Sequence, residues 1–468
     1  MSQGRRSTLR GLLTFTVLVY GLACKSDVTD PGATPRIISL EPDTLSLSIG
    51  QTGRLTVEVT DMAGVSLDSV VVRWSSNDPT VATVDTAGLV TALRLGSATI
   101  TAESEGFAGR AVVQTGLAFT MLSAGRAHTC GLVPGGAVYC WGEGGSGQLG
   151  NGKQTSSTTP VRVALAATFV AVSAGGDHTC ALTEAGTVFC WGDGARGQRG
   201  DGTVSNATLP TPLATGAVFA DVSAGAQHTC GITADGTALC WGSSDFGQLG
   251  NGNQTNVLLP DTVAGAEPFS SIAAGSDHTC GVGVSGQAYC WGRNDEGQLG
   301  TGTVGGPQLV PVALNLAITF RIARAGTGTY SCGIALSRQG YCWGRGDSRQ
   351  LGLGPTLATN GEVRGLSLAI AFATLDPAEF HTCGTTTQAR TFCWGVSRLG
   401  ILGTTESEIP LEIPIGLAAI TTGSLHTCGL SPGGRAYCWG GNNGGQLGNG
   451  SNVPSDVPAP VAFQLITP

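Results

Sequence analysis

Lysine is nearly missing from this chain. Only Lys25 and Lys153 occur, so arginine supplies almost all of the positive charge. With 24 basic residues against 32 acidic ones, the formal net charge is −8. That balance excludes a general nucleic-acid binder, which needs a basic face to meet phosphate. Catalytic signatures are missing too: there is no G-x-S-x-G, no H-E-x-x-H, no phosphate-cradling glycine loop and no calcium loop. No apolar run is long enough for a stable membrane span. The run GLLTFTVLVYGLAC, residues 11 to 24, follows Arg5, Arg6 and Arg10 and reads as an export signal.

What the chain does have is glycine and a repeat. Its 74 glycines are spread periodically, which fits turn-rich β structure rather than low-complexity disorder. A sentence of the form HTCALTEAGTVFCWGDGARGQRGDG (residues 178 to 202) occurs seven times. Its first cysteines are Cys130, Cys180, Cys230, Cys280, Cys332, Cys383 and Cys428, in steps of 50, 50, 50, 52, 51 and 45 residues. A period in this range is the mark of a repeat architecture. A second cysteine follows ten residues after each first one, and a Trp-Gly pair follows each second one. The copies absorb all cysteines but Cys24 and all tryptophans but Trp74.

The start S-A-G-x-x-H-T-C, the C-W-G and the G-Q-L-G of the repeat together resemble the regulator-of-chromosome-condensation repeat, and the fifth and sixth copies blur the G-Q-L-G into SRQLGLG and SRLGILG. The resemblance covers residues 116 to 468 and implies a seven-bladed β-propeller, each blade a small antiparallel sheet. These 353 residues allow about fifty per blade, and propellers commonly carry four to eight four-stranded blades. From below, HTCAL reads as a strand, TEAG as a turn and TVFCWG as a returning strand. Side chains alternate along a strand, so His178 and Cys180 share a face opposite Thr179, and Phe189 and Trp191 share a face opposite Cys190. Tryptophan and its aromatic neighbour would fill one layer between blades; histidine and the cysteines would enter the other. The tail VPSDVPAPVAFQLITP supplies a P-V-x-V-like segment with no repeat after it. Residues near 458 to 463 are therefore predicted to complete a blade begun by residues near 117 to 125, leaving no free sheet edge.

Cys180 and Cys190 are equidistant from the turn centre at Ala185 and fall opposite each other in a hairpin, within disulfide range. Seven bridges inside the blades are expected: Cys130–Cys140, Cys180–Cys190, Cys230–Cys240, Cys280–Cys290, Cys332–Cys342, Cys383–Cys393 and Cys428–Cys438. An exported chain with an even count in fixed pairs supports them. A zinc site competes, with His178, Cys180 and Cys190 as three ligands. The fifth copy has Tyr330 in place of the histidine yet keeps Cys332 and Cys342, which fits a bridge rather than a metal site. The histidines then read as hydrogen-bonded core residues. No catalytic residue, metal ligand or cofactor site is assigned, and no cofactor is expected.

The N-terminus reads as three parts. Residues 1 to 24 end in GLAC, which resembles a bacterial lipoprotein signal with Cys24 lipidated; Gly21 stands where that family usually has an aliphatic residue. Residues 25 to 34 are a polar tether. Residues 35 to 115 show short alternating runs such as RLTVEVT and ATITA, suggesting a sandwich. Within them WSSNDPTVATVDTAGLVTALRLGSATITA resembles the group 2 bacterial immunoglobulin-like domain, with Trp74 as its core tryptophan. The resemblance implies a spacer on a bacterial surface protein. The fold class expected overall is all-β, a seven-bladed propeller preceded by an immunoglobulin-like β-sandwich.

Charge is unevenly spread. Residues 321 to 398 hold eight arginines and four acids, a net of +4, whereas residues 220 to 300 hold eight acids and one arginine, a net of −7. Arg345, Arg349 and Arg398 are candidate ligand contacts for an anionic partner. The functional expectation is an exported, lipid-anchored, non-enzymatic protein at the outer membrane or cell surface, otherwise periplasmic or secreted. It recognises a protein or an anionic glycan, touches the membrane only through its anchor, and does not bind nucleic acid. The alternative is a secreted inhibitor or regulator of one protein enzyme. The nucleotide exchange known for the repeat family's nuclear member is not carried over to an exported chain.

Overall fold

Alternating short strands broken by glycine turns dictate the architecture. The computed structural model describes residues 37–67, 70–265, 267–314, 316–355, 361–403 and 405–465. The expected signal peptide with Cys24 and the tether of residues 25 to 34 lie outside the described residues. Everything described is strand, turn or loop, apart from one 3-10 turn at Arg398–Gly400.

Residues from Ile37 to Gly116 form three small sheets around one core. The largest runs in the order Thr44–Ser48, Phe107–Gly116, Gly96–Ser104, Arg73–Ser76; its outermost pair, Thr44–Ser48 with Phe107–Gly116, is parallel. A second sheet joins Thr52–Arg54, Leu89–Ala92 and Ala82–Val84, and a third pairs Ile37–Glu41 with Thr56–Thr60. The period-2 pattern sends Ala98, Ile100 and Ala102 inward from one strand and Ala111 and Val113 from its neighbour. Trp74 packs against this core from its margin and stays half-buried.

Seven four-stranded antiparallel sheets follow, in strict sequence order. The first is Met121–Ala124, His128–Leu132, Val138–Gly142 and Ser157–Arg162; the last is Ala419–Thr422, His426–Leu430, Ala436–Gly440 and Ser455–Pro460. The innermost strands touch in succession, and the first also touches the last, so the sheets close into a β-propeller. Each layer between blades is a separate apolar cluster made in the same way. Cys130 and Cys140 of blade 1 lie with Phe169, Ala181 and Trp191 of blade 2, and around the circle Cys428 and Cys438 of blade 7 lie with Phe119 and Trp141 of blade 1. The layers are thus filled as the strand alternation predicts.

The ring does not close as the sequence suggested. Residues 455 to 460 pair with Ala436–Gly440 of their own blade, and blade 1 is completed by its own Ser157–Arg162. The P-V-x-V segment is the outer strand of the blade preceding it, so every blade is one continuous stretch of chain and no strand is exchanged. The two ends of the ring meet in another way. Leu117 N donates to Phe463 O at 2.8 Å in an isolated parallel bridge. Gln464 Nε2 donates to Ala436 O at 2.8 Å while its Oε1 accepts from Ala436 N at 2.6 Å.

The outer edge of each blade is guarded. Pro160, Pro210, Pro260, Pro311, Pro410 and Pro458 sit in six of the outer strands, where each removes a free N–H from the edge. In blade 5 only Arg364–Gly365 form the described outer strand.

Two hairpin turns carry strain. Most copies place glycine at a left-handed position, as at Gly186 (φ 78°) and Gly236 (φ 86°). Blades 5 and 6 keep that conformation with Arg338 (φ 70°) and Ala389 (φ 58°). A side chain at such a φ costs about 1 kcal/mol or more, partly offset by the extra backbone entropy that glycine loses. Replacing Ala389 by glycine should therefore raise unfolding stability by roughly 0.5 kcal/mol in a denaturant titration.

Candidate functional site

The repeated motif builds joints between blades. In blade 2, Thr179 Oγ1 and Trp191 Nε1 both donate to the main-chain oxygen of Gln148, which belongs to blade 1, at 2.9 and 2.8 Å. His128 Nε2 of blade 1 meets the same Thr179 Oγ1 at 2.9 Å. The threonine hydroxyl has one proton and gives it to Gln148 O, so the histidine must donate from Nε2, and its Nδ1 is bare. The joint recurs between every pair of blades. Gln198, Gln248, Gln298 and Gln350 supply the carbonyl to Trp241, Trp291, Trp343 and Trp394. Gln446 closes the ring by accepting from Thr129 at 3.0 Å and Trp141 at 2.9 Å. Because the acceptor is backbone, Ile401 serves equally for Thr427 and Trp439.

All six histidines lie in these joints, and all are fully buried or nearly so. Burial pushes them far below the ordinary imidazole range, to about 4 for His178 and about 3 for His128, His228, His278, His381 and His426. Small residues make room: a Cβ on Gly175 would come within 2.6 Å of His178 Cε1. A Cβ on Gly150 would come within 2.7 Å of Trp191 Nε1. Tyr330 fills the joint of blade 5, its hydroxyl reaching His381 O at 2.6 Å and Thr382 Oγ1 at 3.0 Å. The phenol thus replaces the imidazole that the fifth copy lacks.

The cysteines pair across each hairpin, Cys130 with Cys140 through Cys428 with Cys438, at Cα–Cα distances of 4.1 to 4.2 Å. In the zinc alternative, His178 would turn its Nε2 to Cys180 and Cys190. It is instead directed at Thr229 of the next blade, 2.8 Å away.

The propeller has two unlike faces. One carries the tight hairpin turns, and the N-terminal sheets rest on it: Ile49 joins the cluster of Leu117, Val133 and Trp141, and a Cβ on Gly50 would lie 2.2 Å from Pro134 O. The opposite face carries the loops before each His and after each C-W-G. Arg345, Arg349 and Arg398 stand there, but not as a free basic patch. Arg345 pairs with Asp347 at 2.5 Å. Arg349 reaches Glu406 at 3.3 Å and Glu408 at 3.4 Å on blade 6. Arg398 lies over the Phe380 ring at 4.2 Å. Extending the count from residue 398 to 413 adds Glu406, Glu408 and Glu412, so eight arginines face seven acids. The positive surplus read from residues 321 to 398 was a product of where the window ended.

A feature absent from the sequence reading lines the bore. Ser123, Ser173, Ser223 and Thr421 each accept the backbone N–H of the next blade through their hydroxyls: Ala174, Ala224, Ala274 and Ala124, at 2.9 to 3.1 Å. Asp376 does so for Thr422 at 2.7 Å. The ring is interrupted at Ala273 and at Arg324, and Arg324 stands at the step where the next blade offers Pro377, which has no N–H to give.

Joints of this kind, repeated around a closed ring of hairpins, define a repeat β-propeller. Residues 50–364 match the family model of the RCC1-like domain, and residues 418–446 and 433–465 match models of the regulator of chromosome condensation (RCC1) repeat. The chain belongs to the RCC1-like domain family. The match begins at residue 50, inside the N-terminal sheets, although the first of the seven blades begins at Met121. Human WBSCR16 is similar in structure at 19% identity and a TM-score of 0.63, with 70% of this chain and 94% of that one covered. Yeast RCC1 (Prp20), solved bound to Kap60, is similar at 17% identity and a TM-score of 0.63, covering 74% of this chain and 85% of that one. Prp20p from Saccharomyces cerevisiae, described with its binding to Gsp1p and histones, gives 17%, 0.62, 74% and 87%. At these identities the likeness concerns the fold. A polysaccharide lyase 8 family protein, HylA of Enterococcus faecalis, is 38% identical over 72 residues, or 15% of this chain; the chain spans only 5% of that protein's length.

Two outcomes follow for the joint. Thr229→Val removes the hydroxyl that serves both His178 Nε2 and Gln198 O. It should cost about 2–4 kcal/mol in a denaturant titration, because it leaves a buried donor unmet. Thr229→Ser should be nearly neutral, since Ser331 already holds that place in blade 5. The histidines also set a pH dependence. Their folded pKa values lie below the unfolded value of 6.5, so between pH 6.5 and about 4 the unfolded chain binds protons that the native joints refuse. Stability is therefore full near neutrality and is lost as pH falls. Melting temperature should decline steadily from pH 7 to pH 5, a window above the ordinary carboxylate range; a flat profile there would contradict neutral buried histidines.

Proposed function

We propose that this chain is an exported, non-enzymatic recognition protein: a seven-bladed propeller held off a membrane by an immunoglobulin-like spacer, residues 35 to 115, and by a lipid on Cys24. The observation that carries this reading is where the motif's polar groups are spent. The histidines, threonines and tryptophans of the repeat bond blade to blade, and the cysteines bond to each other. What is left for a partner is the variable loop face. The N-terminal sheets occupy the hairpin face at Pro134, so a tethered molecule would present its loop face outward.

A protein partner suits that face better than an anionic glycan, because Arg345 and Arg349 are already paired with carboxylates and Arg398 lies over the Phe380 ring. Propellers of this fold have protein partners: yeast RCC1 is recorded with Kap60, and Prp20p with Gsp1p and histones. A secreted inhibitor of one enzyme would use the same face.

The reading is tested by capture from surface or periplasmic extract with the full chain immobilised. One partner should be retained, and charge reversal on the loop face at Asp245 and Glu296 should weaken retention about tenfold. Reversal of Glu184 on the hairpin face should change nothing. Equal loss from both faces, or turnover of a glycan or peptide substrate by the chain, would defeat the proposal.

A further inference from the structure

The bore of the propeller is walled by the innermost strands of all seven blades and opens about 250 Å³ of space. Its wall is otherwise apolar or hydroxylic. Arg324, Asp221 and Asp376 are the charged residues among those that line it. Three observations set Arg324 apart. First, it occupies the position where other blades place a short acceptor to bind the next blade, and Pro377 opposite it needs no acceptor. The arginine is therefore released from the structural duty of that position. Second, among the described residues its guanidinium makes no hydrogen bond and no ion pair, although it is close enough to Asp221 and Asp376 to offset part of the cost of burying them. Third, Thr327 Oγ1 lines the same space and is buried without a hydrogen-bond partner.

A guanidinium left without a partner is a fork for a carboxylate. Two carboxyl groups, too far from it to close an ion pair, offer acceptors for a cation on the other side. The complement of that arrangement carries one negative and one positive group a few bonds apart. We propose that the bore is a binding site for a small amino-carboxylate, such as a free α-amino acid, with its carboxylate on Arg324 and its ammonium toward Asp221 and Asp376. Ala273, the other interruption of the ring, leaves the neighbouring blade without a hydroxyl at that level. This site does not depend on recognition of a macromolecule by the loop face, and the two are tested by different readouts.

The test is calorimetric titration of the full chain with a panel of the common α-amino acids, with propionate and ethylammonium as probes that each carry half of the chemistry. Saturable binding of at least one amino acid is expected, at least about tenfold tighter than either half-probe. Arg324→Gln should abolish it, and Asp221→Asn should weaken it about tenfold. The melting temperature of unliganded Arg324→Gln should fall by no more than a few degrees, since the guanidinium makes no hydrogen bond and only offsets part of the burial of Asp221 and Asp376. A panel with no saturable binding would overturn the proposal, as would an Arg324→Gln protein that binds like the parent. Propionate binding as tightly as the amino acids would also sink it, by removing the need for the acidic side.

Discussion

One backbone oxygen per blade holds the propeller together. The carbonyl at Gln148 and its counterparts accepts a threonine hydroxyl and an indole N–H from the following blade. Much else is fixed by that choice. The tryptophan is fully buried because its ring nitrogen must reach into the neighbouring blade. The residue two places after the acceptor is glycine because the indole leaves no room for a Cβ at Gly150 or Gly448. The histidine carries its proton on Nε2 because the threonine has only a lone pair left to offer it, and burial keeps the ring neutral. Each joint is buried, so its hydrogen bonds are strong in place and costly to leave half made.

This arrangement separates what the repeat must keep from what it can vary. Groups that join blades sit in the layers, and their identity follows from contact with the next copy. The loops after C-W-G meet this demand only where they carry the acceptor carbonyl and the glycine two places after it; the rest of each loop is free to differ, and blades 5 and 6 depart furthest. Even there the departures respect the joint. Arg349 takes a left-handed backbone (φ 61°) at the first position of its R-Q-L-G, where Gly297 of blade 4 has φ 76°, so the Gln350 carbonyl still reaches Trp394. Ile401 shows that the glutamine side chain is dispensable as long as the backbone is in place.

Much of this was legible in the sequence. Fixed spacing from Cys180 to Cys190 placed both cysteines opposite each other in one hairpin, and they face each other across it. Strand alternation put Trp191 and the cysteines into different layers. Three things were not legible, each for a physical reason. The bond from His128 to Thr179 joins residues that are 51 apart, and no local pattern says which copy a side chain faces. The closure of the ring was misread because a P-V-x-V segment looks the same whether it ends one blade or begins another; only pairing with the C-W-G strand decides. The charge of residues 321 to 398 was misjudged because the partners of Arg349 and Arg390 lie just beyond that window and are joined to them across strands.

Because each blade is drawn from one unbroken stretch of chain, the ring is modular in a strong sense. A tandem duplication of one fifty-residue unit would deliver a complete blade, with its own cystine, its own acceptor carbonyl and its own outer proline, and would cut no sheet. The uniform steps of fifty between the first four copies match a unit of that size. Growth or shrinkage by a whole unit would then be limited by the geometry of the circle, not by folding of the unit.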